Sequence, residues 1–152
     1  MELSLKFDDT GYWQHDDITL RLDERVWRVD SYFLALDNFV LPDREDAAKV
    51  RAVLKRLLEQ WLAALEDFAD EGTVYLPYDF ADQHTGWLRC RRFGVMIEVC
   101  PGRSRTEGWS FCASDISPYL RNLPDFQAEG AVVRGLALEV VMEVRASMNA
   151  AS

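Results

Sequence analysis

The chain has few of the residues on which recognisable chemistry is usually built. It holds three cysteines, Cys90, Cys100 and Cys112, ten and twelve positions apart, with no Cys-x-x-Cys pair. An odd count without local pairing argues against a disulfide framework and against a zinc knuckle, so a reducing, cytoplasmic setting is expected. Only two histidines occur, His15 and His84. Any Ser-His-Asp or Cys-His arrangement would have to use one of them, and no Gly-x-Ser-x-Gly elbow or reactive-cysteine signature accompanies either. Rossmann glycines, a Walker loop, an EF-hand loop and His-Glu-x-x-His are all missing. No apolar run approaches the roughly 18 residues of a membrane span, so no membrane association is expected. The opening "MELSLKFDDTGYW" alternates apolar and polar residues, unlike a secretory signal. Without repeats, low-complexity tracts or linkers, the expectation is one domain over 1–152.

What the chain does have is acid and aromatic surface. Of 152 residues, 49% are hydrophobic and 12% aromatic, with five tryptophans, the composition of a folded globule. The formal charge of −9 is uneven. Residues 1–82 carry 19 acidic side chains against 9 basic ones, a net of −10; residues 83–152 carry 7 against 8, a net of +1. Phosphate backbones are bound by clustered Lys and Arg, so nucleic acid is not an expected ligand. A basic protein partner is, because acidic surfaces steer cationic ones; the same acidity also serves solubility.

Periodicity gives the fold class as α+β, mainly antiparallel sheet packed against one long helix and a C-terminal helix. Leu3, Leu5 and Phe7 alternate with polar residues as a half-buried strand, and 17–30 reads as a hairpin turning at Asp23–Arg25. Residues 31–41 fit a strand or a short helix. A helix is predicted over 43–70, capped by Asp43, with Glu45 and Asp46 in its first turn. Its stripe runs Val50, Leu54, Leu57, Trp61, Leu65, Phe68, and Val53, Leu58 and Leu62 widen it, which suggests either deep burial or a homodimer contact through this face. A four-stranded meander follows, through Val74 to Phe80, Trp87 to Cys90, Val95 to Val99, and Trp109 to Ala113. "ADQHTG", "RRFG" and "PGRSRTEG" are its connections. Asp115 would then cap a short helix, "ISPYLRNL", "EGAVVRG" would add an edge strand, and Ala137, Val140, Val141, Val144 and Met148 mark a terminal helix.

The densest candidate stretch is "TVYLPYDFADQHTGWLRC", residues 73–90. Its turn gathers Asp79, Asp82 and His84 among aromatics. Asp-x-x-Asp-x-His could supply metal ligands, but a site needs at least three that converge, and turns hold aspartate for the local reason that it bonds neighbouring amides. No metal, cofactor or catalytic residue is therefore assigned. Tyr75, Tyr78, Asp79, Asp82, His84 and Trp87 are the candidate partner-binding residues, since aromatics ringed by charge make interface hot spots. His15, before Asp16 and Asp17, has the material of a general base, yet neighbours on a strand face opposite ways, and a surface turn accounts for it. Cys90 and Cys112 continue apolar patterns as small buried hydrophobes. The glycines and arginines of "PGRSRTEG" precede a strand rather than a helix, so the loop lacks phosphate-binding geometry. Six acidic doublets give no reason to choose two as a glycosidase pair.

With one long helix, a strand-rich second half, and the stretches "YLPYDFADQHTGWLRC" and "EGWSFCASDISPYL", the chain resembles the small acidic cytoplasmic immunity proteins of bacterial polymorphic toxin systems. The likeness is one of size, charge and organisation and brings no functional residue with it. It implies a non-catalytic domain that inhibits a basic partner by docking it through the acidic half. The alternative is a small-ligand or enzymatic domain with an aromatic pocket between sheet and long helix, walled by Trp61, Trp87 and Trp109, with His84, Arg89 or Asp79 as polar groups.

Overall fold

Two antiparallel sheets share one core with two long helices. The computed structural model describes residues 1–9, 16–68 and 70–152, so His15 lies outside the described residues. The first sheet is β1 (Leu3–Phe7), β2 (Ile18–Leu22) and β3 (Arg25–Val29), in that order. Leu5 lies opposite Leu20 and Leu20 opposite Trp27, so the alternation in the sequence puts Leu3, Leu5, Ile18, Leu20 and Leu22 inside. Asp23 turns β2 into β3 in the left-handed region (φ 52°), which a short polar side chain tolerates, and its Oδ1 accepts the Glu2 amide at 2.8 Å.

Of the two forms expected for residues 31–41, the structure has the short helix, confined to their start. One helical turn, α1 (Tyr32–Ala35), is followed by irregular chain, because Asp37 accepts the Phe39 amide on one oxygen and the Ser114 amide on the other. The long helix α2 spans Ala47–Asp67, 21 residues and about 32 Å, shorter than the predicted 43–70. Its cap is Asp46 rather than Asp43: the Asp46 carboxylate accepts the Lys49 amide at 3.0 Å, and Phe68 ends the helix in an extended conformation. The broad stripe is used within the chain, since α2 packs against α1, α3, β1 and β4 at once. Val53 and Leu58 are buried and Leu62 half-buried.

The second sheet begins as expected with β4 (Thr73–Phe80), β5 (Thr85–Phe93) and β6 (Met96–Ser104), Leu76 facing Leu88 and Leu88 facing Pro101. "RRFG" and "PGRSRTEG" are only partly loops. Arg91 to Phe93 complete β5, and Pro101 to Ser104 complete β6. The predicted fourth strand at Trp109 to Ala113 does not exist. The outer edge of β6 is instead taken by β7 (Gln127–Ala128) and β8 (Val133–Leu136), and the terminal helix α3 (Ala137–Ala150) follows directly.

Residues 105–126 cross the open face as a cover. Phe111 lies between Trp87, at 5.4 Å, and Tyr119, at 5.2 Å, while Phe126 lies over Tyr75 at 5.6 Å. The expected helix after Asp115 is a set of turns. A cap there would serve the amides of residues 117 or 118; Pro118 has none, and the Asp115 carboxylate takes both the amide and the hydroxyl of Ser117. Side chains hold the cover down instead: Gln60 of α2 donates to Ala113 O at 2.8 Å and accepts from the Ile116 amide at 2.9 Å. No helix among the described residues is long and apolar enough to cross a membrane.

Candidate functional site

The β4–β5 connection, Ala81 to His84, is where the densest candidate stretch folds back on itself. A bulge between Pro77 and Asp79 re-aims the end of β4, and Gly86 stands across the ladder from Asp79. A Cβ at Gly86 would fall 2.9 Å from both Asp79 Cβ and Tyr78 Cζ, so only glycine lets the Tyr78 ring lie down here. Tyr78 is buried, its ring 6.3 Å from Trp27, and burial raises its phenol above the ordinary range. Asp79 Oδ2 stands 3.7 Å from His84 Nε2. Burial pushes the Asp79 carboxyl up; His84 and Arg103 pull it down, and Asp30 and Asp16 add to the upward push.

Beside this acidic group stands a partly exposed aromatic cluster. Tyr32 and Phe33 come from α1, and Trp109 from the start of the cover. Their rings meet edge to face, Phe33 to Trp109 at 4.5 Å, Tyr32 to Phe33 at 5.7 Å and Tyr32 to Trp109 at 6.5 Å. Two short bonds place Trp109: the Gly108 amide donates to Ala81 O at 2.7 Å, and the indole N–H donates to Asp82 Oδ1 at 3.0 Å. Although held, Trp109 stays 58% exposed, and Tyr32 is exposed with it. Asp30 fixes the entry to α1 by accepting the Tyr32 amide at 3.0 Å, and Glu107 adds a further exposed carboxylate two residues before Trp109. The result is a rigid aromatic patch bordered by carboxylates.

Of the six residues selected from the sequence, Asp79, Asp82 and His84 belong to this surface, and Tyr78 underlies it. Trp87 does not: it is fully buried, its indole N–H donating to Thr85 Oγ1 at 2.6 Å. Tyr75 lies further along the sheet, half-buried beneath Phe126, its amide bonded to Leu120 O. Tyr32, Phe33, Trp109, Asp30 and Glu107 were missed. The only signal they carried is an acid two positions before an aromatic, in Asp30-Ser-Tyr32 and Glu107-Gly-Trp109.

The aromatic pocket expected between sheet and helix is not formed by its proposed walls. Trp61 and Trp87 are fully buried, and the Trp61 indole donates to Pro77 O at 3.1 Å. A cavity of about 800 Å³ opens on the solvent side of α2. It is an open groove between the 37–42 segment and the cover, with Phe39, Leu41, Lys55, Phe111, Cys112 and Pro118 among its walls. Its charges are mixed, Arg56 pairing with Glu59 and Lys55 lying near them. Lys49, buried at the start of α2, braces the groove's rim by donating to Val40 O. Cys90 is buried and its thiol pushed up to about 12, and burial raises Cys112 as well, so neither is set up as a nucleophile. Among the described residues no three His, Cys, Asp or Glu side chains converge on a metal position.

No family model, curated protein or solved structure matches the chain, so the reading of the site rests on its geometry.

Proposed function

We propose that the chain is a non-catalytic protein-binding domain that docks a basic protein partner, in the manner of a bacterial cytoplasmic immunity or inhibitor protein. The observation that carries the reading is the Tyr32–Phe33–Trp109 cluster, with Tyr32 and Trp109 exposed over a half-buried Phe33, anchored by Asp82 and bordered by Asp30, Asp79 and Glu107. Rigid aromatics supply apolar contact area at low entropic cost, and a surrounding ring of one charge sign selects and steers a partner of the other. Arg103 and His84 stand next to this surface, and each already faces a carboxylate, Glu129 and Asp79 respectively. The surface thus presents acid and aromatic rings together.

The test is affinity capture from lysate of the producing cells, run side by side with wild-type protein, Trp109→Ala and Asp82→Lys, with salt raised stepwise. A basic protein retained by the wild type, released as salt rises and absent from both variants supports the reading. Retention of the same proteins by all three baits, or of none by the wild type, overturns it.

A further inference from the structure

The opposite end of the larger sheet carries a second surface, distinct from the acidic one. Six of the twelve exposed large apolar side chains among the described residues collect there: Phe93, Val95, Met96, Leu136, Leu138 and Met142. Three form a row across the strands, because Phe93 lies opposite Met96 and Met96 opposite Leu136, and residues directly opposite share a face. The cover of residues 105–126 lies over the other end of this face, against Tyr75, Trp87 and Phe80. Val95, 71% exposed, tips the β5–β6 turn and accepts the Ala137 amide at 2.9 Å, which brings the first turn of α3 alongside. Leu138 and Met142 then point outward one helical turn apart, 70% and 61% exposed, because Ala137, Val140 and Val144 face the core.

The strand bordering this row is open. β8 is bonded to β6 along one edge, and no backbone group among the described residues pairs with its other edge. An exposed edge is a template for another extended strand, and the one charge on β8, Arg134, is held by Glu98 of β6 at 2.7 Å.

We propose that this surface docks a second copy of the chain, β8 running antiparallel to the partner's β8, so that the larger sheet continues through a two-fold axis. Three observations favour that occupant over a foreign strand. A two-fold contact needs a patch complementary to itself, and a row of apolar side chains ending at an open edge meets that condition. The rim offers both charges: Arg91, next along the sheet face, and Glu143 on α3 each have no ion-pair partner among the described residues. Finally, the acidic excess lies in residues 1–82, whereas residues 83–152, which supply the whole patch, carry a net of +1, so two copies meet where self-repulsion is least.

Sedimentation equilibrium decides the matter, on wild-type protein up to about 100 μM, where an interface of ordinary size is populated. The variants are Leu136→Arg, which charges the strand end, and Leu138→Lys with Met142→Glu, which alters only the outward side of α3. Circular dichroism and urea titration identify any variant that fails to fold. The expected result is a wild-type dimer and folded monomers for the variants, with Trp109→Ala still dimeric, which separates this surface from the proposed partner site. A wild type that stays monomeric overturns the proposal. So does a dimer that survives both variants; if Leu41→Asp then dissolves it, the copies meet at the groove beside α2 instead. A wild-type monomer that binds an added acidic strand peptide would assign the edge to a foreign partner and overturn the second copy as its occupant.

Discussion

Trp109 donates its indole N–H to Asp82 at 3.0 Å while leaving more than half of its surface in solvent. The bond joins the β4–β5 turn to the start of the cover, two segments 27 residues apart. It also freezes a large apolar side chain in the position where it can be used. A tryptophan free to rotate would lose that freedom on binding, whereas this one has given it up already.

Trp109→Ala should therefore act on binding more than on folding. Stability should fall by only about 1 to 2 kcal/mol, since more than half of the ring is already in solvent, whereas affinity for the basic partner should fall by about 2 kcal/mol or more. Urea denaturation and a titration by calorimetry measure the two separately.

Trp61→Ala should do the reverse. The ring is fully buried and its indole satisfies Pro77 O, so the loss should be about 3 to 5 kcal/mol. A loss below about 1 kcal/mol would mean that α2 presents another face to the sheet.

Asp79 predicts a pH dependence. Its carboxyl is raised above 3.8 by burial, so the native state binds its proton more tightly than the unfolded chain does. Its contribution to stability is complete below pH 3.8 and is lost as pH rises through the raised native value. Asp79→Asn should thus be more stable than wild type at neutral pH, and the difference should shrink toward zero below pH 3.8. Urea midpoints for both proteins across that range give the answer, and a variant less stable at neutral pH would show that the His84 contact outweighs burial.

Gln60→Leu should loosen the cover without unfolding the rest. Removing the amide leaves Ala113 O and the Ile116 N–H without their partners, at about 1 to 3 kcal/mol. Limited proteolysis should cut between residues 113 and 122 faster than in wild type, with cleavage elsewhere unchanged.

The parts of the fold that could be read in advance are those in which one residue's environment repeats along the chain. The alternation of β1 and β2 and the 3- and 4-residue steps of α2 each average over many positions, so single exceptions do not matter. The cover has no period, and its course follows from pairings between distant residues such as Gln60 with Ile116 and Asp37 with Ser114. Trp109 and Phe111, two apart, looked like one face of a strand; the Gly108–Ala81 bond and the Asp82 carboxylate send the first outward, while Trp87 and Tyr119 draw the second in. The polar part of the candidate site was legible, because Asp79 at the end of β4 and Asp82 and His84 in the turn after it are close in sequence. The site was illegible in its aromatics, because α1 and the cover meet that turn only in three dimensions.

The edge strands set the order in which this chain can be completed. β6 bonds to β5 at once, but its other side waits for β7 and β8, and the amide of Leu5 waits for the Ser147 hydroxyl on α3. A chain still emerging from the ribosome therefore carries two unfinished sheets until residues 127–147 arrive, one at each end of its history. Contacts of such long sequence separation form late and slowly. A chain stalled before residues 127–147 would present the bare edge of β6 to its neighbours.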